Sequence, residues 1–111
     1  MQYGFINVAA AVPAVRVADC DYNVQQIESI IAQAEGMGVE VLVFPELCIT
    51  GYSCQDLFHQ RLLLEQSETS ILKLLDFTRK LDVVCIVGVP VIAGDILLNC
   101  AAVIQKGDLL G

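Results

Sequence analysis

Glu46 is the residue of this chain best placed to do chemistry. It stands in Phe44-Pro45-Glu46-Leu47-Cys48-Ile49-Thr50-Gly51-Tyr52, directly after an apolar run from Val39 to Phe44 that only Glu40 interrupts. Pro45 cannot donate a ladder hydrogen bond, so a strand over this run ends there. A carboxylate at the end of a buried strand lies at the rim where open α/β sheets place their ligands. No lysine or arginine occurs between Arg16 and Arg61 to favour its charged form. Partly apolar surroundings raise a carboxyl pKa and suit the group to general acid–base work near neutral pH. The plain alternative is a solvated loop glutamate, because few charged residues are catalytic.

This segment resembles the glutamate signature of the nitrilase, or carbon–nitrogen hydrolase, superfamily. Asn7-Val8-Ala9-Ala10-Ala11-Val12-Pro13 is similar to the family's first strand, and Asp19-Cys20-Asp21-Tyr22-Asn23 to its first strand–helix junction. Leu98-Asn99-Cys100-Ala101-Ala102-Val103-Ile104, followed by Lys106-Gly107, resembles a later strand and turn. More narrowly, Gly51 to Phe58 and the leucine-rich stretch after it are similar to the amino-terminal glutaminase domains of glutamine-dependent NAD synthetases.

The resemblance implies a Glu-Lys-Cys triad with Glu46 as its general base and Tyr52 as a wall of the glutamine pocket. A thiol of pKa ~8.5 gains from such a base. It also implies that the lysine and the nucleophilic cysteine follow Gly111, so residues 1–111 form an incomplete domain, expected to be inactive alone. Lys106 falls in the turn before the expected lysine, and Cys48 more simply packs. Tyr52 serves equally well as an aromatic packed beneath the loop. Asp56 reads as a helix cap, and His59 has no placed partner and no assigned chemistry. Cofactors are expected only in the synthetase domain of the same chain, where the resemblance implies ATP and Mg.

The bulk properties narrow the classes further. The chain has 111 residues, a hydrophobic fraction of 56% and a mean hydropathy of +0.66. That exceeds the ~45–50% apolar usage of globular domains and is hard to bury in so small a body. Part of a larger core, or a subnit of a homo-oligomer, is therefore expected. With 6 basic and 13 acidic residues the net charge is −7, which disfavours nucleic acid. No charge-free run reaches the roughly 20 residues of a membrane span, and the start shows no signal-peptide pattern. Five cysteines without a C-x-x-C pair, beside one histidine, make a metal site unexpected and suit free thiols in the cytoplasm. Cys85 and Cys100 read as small core residues.

The elements that must position Glu46 follow from periodicity. Gly4 to Val12 predicts a first strand. Val24, Ile27, Ile30, Ile31, Ala34 and Met37 recur at helical spacing over Tyr22 to Met37, with Asp21 or Asn23 as the cap. Val39 to Phe44 is the second strand, joined by a crossover that implies a parallel pair. A loop over Gly51 to Phe58 leads to a helix from Arg61 to Leu81, with Leu64, Ile71, Leu74, Leu75 and Thr78 on one side. Val83 to Ile92 reads as a strand buried on both faces, and Leu97 to Gln105 as its hairpin partner. A further strand begins at Leu109. The expected fold is α/β, a mixed β-sheet with two main helices on one face, half of the α-β-β-α sandwich that the resemblance implies.

Two other functions share this pattern. One is a stand-alone amidase, carbamoylase or nitrilase. The other is a non-catalytic α/β interaction module that keeps the motif for packing.

Overall fold

The computed structural model describes residues 7–16, 19–45, 61–93 and 96–111. Their elements are β1 (Val8–Ala10), α1 (Cys20–Gly36), β2 (Val41–Val43), α2 (Arg61–Phe77), β3 (Val84–Ala93), β4 (Ile96–Gln105) and β5 (Asp108–Leu109). The strands form one sheet in chain order. β1, β2 and β3 are parallel, while β4 and β5 each run antiparallel to the strand before. Two successive crossovers stepping the same way across a sheet, both of the usual right hand, put both helices on one face. The expected mixed α/β sheet with two helices is therefore the observed one.

Register decides what each strand buries. Ala9, Leu42 and Cys85 stand in one row across the parallel strands, and Cys85 faces Ile104 on β4. This parity holds Leu42, Phe44, Cys85, Val87, Val89, Ala102 and Ile104 against Val24, Ile27, Ile31 and Ala34 of α1 and Leu74 of α2 in a single core. The opposite parity carries Val8, Ala10, Val43 and Ala101, all exposed, with Val41, Ile86 and Val103 only half-buried. On β3 the opposite parity is half-buried at Val84 and Ile86 but buried at Gly88 and Pro90, so the two-sided burial expected for this strand is reached over its middle. Pro90 is tolerated inside β3 because it lies beyond Ile86, the last residue paired with β2.

α1 begins two residues earlier than its periodicity indicates. Asp19 is the cap, accepting the Tyr22 N–H at 3.1 Å. Asn23, a candidate cap from sequence, instead lies inside the helix, fully buried. Its amide spans the β1–α1 connection, donating to the Arg16 carbonyl at 2.9 Å and accepting the Arg16 N–H at 2.7 Å. Met37 is the C-cap and 78% exposed, so it is not part of the apolar stripe. α2 ends at Phe77 rather than Leu81. Its buried face includes Ser67 and Ser70, which periodicity of apolar residues did not select. The Ser70 hydroxyl donates to the Gln66 carbonyl at 2.8 Å, which lets a small polar side chain be buried cheaply. On the surface Lys73 bridges to Asp21 at 2.7 Å and joins the two helices.

These two kinds of polar contact should separate in a denaturant titration. Asn23→Ala removes two hydrogen bonds to the Arg16 backbone from a fully buried side chain and should cost about 1–3 kcal/mol. Asp21→Asn removes only an exposed ion pair and should cost less than about 1 kcal/mol. Equal losses in urea unfolding would contradict this ranking.

Candidate functional site

β2 is three residues long, yet its carboxyl end is firmly held. The Ala11 N–H donates to the Val43 carbonyl at 2.9 Å from one side, and the Phe44 N–H to the Ile86 carbonyl at 2.9 Å on the other. Phe44, the residue after β2, is buried at 6% exposure, so the chain reaches Pro45 from an anchor in the core. Around this end lies an open concavity of about 360 Å³ lined by Val43, Phe44, Ile86, Val87, Gly88, Cys100 and Ala101. Its wall is apolar apart from the backbone, and Gly88 adds no side chain to it. Such a surface desolvates what enters it and raises the pKa of a carboxyl group brought there.

Glu46 and Tyr52, the two residues singled out for chemistry, lie outside the described residues, as do Cys48, Cys54, Asp56 and His59. The described chain thus places the end of β2 and the concavity, up to the residue before Glu46. Lys106 sits in the β4–β5 turn with φ 51°, its ammonium 3.3 Å from the Asp82 carboxylate. It is committed to a surface ion pair at the turn. Among the described residues no group of three His, Cys, Asp or Glu side chains could hold a metal ion, and no helix is long and apolar enough to cross a membrane.

Two further polar residues hold the connections of this sheet and were not selected by sequence reasoning. The Glu35 carboxylate accepts the N–H groups of Asp82 at 3.1 Å and Val83 at 3.0 Å, tying the end of α1 to the start of β3. The Thr78 hydroxyl, buried at the end of α2, accepts the Gly107 N–H at 3.3 Å. Thr78 was read as part of an apolar side, and Glu35 lies one position past the apolar Ala34. The available signal was a polar residue on or beside the buried stripe of a helix.

Comparison with known proteins gives concordant results. The family model for carbon-nitrogen hydrolase matches residues 7–111. The glutamine-dependent NAD(+) synthetase of Mycobacterium leprae is 34% identical over 108 residues, 97% of this chain but 16% of that protein. The Aquifex aeolicus protein of the same name is 32% identical over 106 residues, covering 96% of this chain and 18% of that protein. Among solved structures, the glutamine-dependent NAD(+) synthetase from Cytophaga hutchinsonii aligns with a TM-score of 0.83 and 32% identity, over 96% of this chain and 18% of that one. An amidase from Nesterenkonia sp. shares the fold at a TM-score of 0.82 and 21% identity, over all of this chain and 43% of its own. The chain spans less than a fifth of the length of these synthetases.

Burial shields two of the three described cysteines. Cys20 and Cys85 are buried, and Cys100 packs half-buried against the core. Burial, with a smaller contribution from the Glu35 charge, pushes the Cys85 thiol from an ordinary 9.0 up to about 12. The native chain therefore keeps a proton that the unfolded chain loses above pH ~9, so this contribution to stability falls as pH rises from about 9 to 12. Unfolding followed across that range should show a steeper alkaline loss for the natural sequence than for Cys85→Ala. Parallel pH profiles would show that Cys85 ionises in the folded state as freely as in the unfolded one.

Proposed function

Because the chain belongs to the carbon–nitrogen hydrolase family, we propose that it is the front part of the glutaminase domain of a glutamine-dependent NAD synthetase, with Glu46 as its general base. The observation that carries this reading is identity of 32–34% to synthetases of that name along nearly the whole chain. The end of β2 at Val43, two residues before Pro45 and beside an apolar concavity, supports the role given to Glu46. The fold alone does not separate this reading from a stand-alone amidase, since the Nesterenkonia amidase shares it. Sequence identity favours the synthetase.

In this reading the substrate is glutamine, and Tyr52 walls its side chain. Glu46 takes the proton of a cysteine thiol that follows in the longer chain, as sulfur attacks the side-chain amide carbon. A lysine, also later in the chain, stabilises the tetrahedral oxyanion, a contribution of ~3–4 kcal/mol for a well-placed donor. Glu46 then gives its proton to the departing nitrogen, and ammonia leaves as the C–N bond breaks. Water, deprotonated by Glu46, cleaves the thioester to glutamate. The partner is a synthetase domain of the same chain, where ATP and Mg belong and where the ammonia amidates adenylylated nicotinic acid adenine dinucleotide. The setting proposed is the cytoplasm, and the assembly a homo-oligomer.

In the full-length protein, Glu46→Gln should abolish glutamine-dependent NAD formation while ammonia-dependent formation stays largely intact. Coupled assays with the two nitrogen sources measure both. Equal loss of both activities would sink the glutaminase assignment.

A further inference from the structure

The β4–β5 turn is built with unusual care for a surface hairpin. Lys106 and Gly107 both take positive φ, 51° and 83°, as a two-residue hairpin turn of the kind that matches strand twist requires. A Cβ on Gly107 would meet the Leu75 carbonyl oxygen at 3.3 Å and the Arg79 Cα at 3.5 Å, so the turn lies directly on the end of α2. There the Gly107 N–H donates to the Thr78 hydroxyl at 3.3 Å. Thr78 is fully buried, and its own proton goes to the Leu74 carbonyl at 2.9 Å. On the other flank the Gln105 amide donates to the Asp82 carbonyl at 3.0 Å.

The turn sets the pairing of the two residues that follow it, Asp108 and Leu109. Ile104 faces Leu109, and the Leu110 N–H donates to the Val103 carbonyl at 2.7 Å. The Val103 N–H donates in turn to the Gly111 carbonyl at 2.9 Å. β5 runs antiparallel to β4 and hence in the direction of β2 and β3. Chain that continues it heads for the end of the sheet where β2 reaches Pro45. Side chains alternate along a strand, so a slip of one residue would turn every following side chain to the other face.

We infer that Thr78 is a positioning residue for the glutaminase reaction: its hydroxyl docks the β4–β5 turn on α2 and sets the register of the strand leading to the residue that stabilises the oxyanion. The inference rests on the function proposed above, in which that residue follows Gly111. It concerns placement of a transition-state contact, so its loss acts on kcat rather than on substrate binding.

The test uses the full-length protein with Thr78→Val, which keeps the shape and removes the hydroxyl, and Thr78→Ser, which keeps the hydroxyl. Thr78→Val should lower the glutamine-dependent kcat at least about tenfold, the scale of a small misplacement of a catalytic group. KM for glutamine and ammonia-dependent synthesis should each stay within about twofold, and Thr78→Ser should restore most of the loss. Gly107→Ala, which leaves the hydroxyl in place and strains the turn, should reproduce the same split. A glutamine-dependent kcat within about twofold of the natural protein in Thr78→Val would overturn the inference. So would equal loss with both nitrogen sources, failure to fold, or no rescue by serine. Glu46→Gln run alongside separates the two levels. If it abolishes the glutamine reaction while Thr78→Val does not affect it, the inference alone fails. If it too leaves that reaction intact, the proposed function fails and takes the inference with it.

Discussion

Strand parity is the constraint on which this structure depends. Leu42, Cys85 and Ile104 stand in one row because β1 to β4 pair in a single register, and that row is the floor on which α1 and α2 lie. A shift of one residue in β2 would turn Leu42 and Phe44 out of the core and bring Val41 and Val43 in. It would also move Pro45, and with it the point at which the chain leaves the sheet. The position from which Glu46 departs is thus set by the same packing that makes the core.

β2 pairs over only three residues, too few to fix a register by ladder bonds alone. Its neighbours are held by polar side chains at the connections instead. Asn23 binds both backbone groups of Arg16 ahead of α1, Glu35 caps the start of β3, and Thr78 holds the β4–β5 turn. Each fastens a loop to a helix that the apolar core already positions. In this way a long core of aliphatic contacts controls short strands, and through them the rim of the concavity beside Pro45.

Much of this was legible in the sequence because it follows from period. The apolar spacing of Val24, Ile27, Ile31 and Ala34 marked α1, and the charge-poor run around Cys85 marked β3. What period does not encode was misplaced. Asn23 looks like a cap by residue type, but Asp19 captures that role because the chain turns earlier, leaving Asn23 to bind Arg16. Met37 has the hydropathy of a core residue, yet it falls past the last turn of the helix and faces solvent. Ser67 and Ser70 are buried although hydropathy does not select them, Ser70 with its hydroxyl donating to the Gln66 carbonyl. The chemistry was legible differently. Nothing periodic marks Glu46. A proline ending an apolar run points to it, and resemblance to a family supplies the role proposed for it.

The proposed function has this chain, as part of a longer protein, help move nitrogen from glutamine to NAD. The most direct measurement supplies the full-length protein with glutamine labelled with ¹⁵N at the side-chain amide, and examines the NAD formed by mass spectrometry. Glutaminase-coupled synthesis gives NAD carrying the label in its carboxamide, with glutamate released in equal amount. Unlabelled NAD, or hydrolysis of other amides with glutamine left untouched, would contradict it.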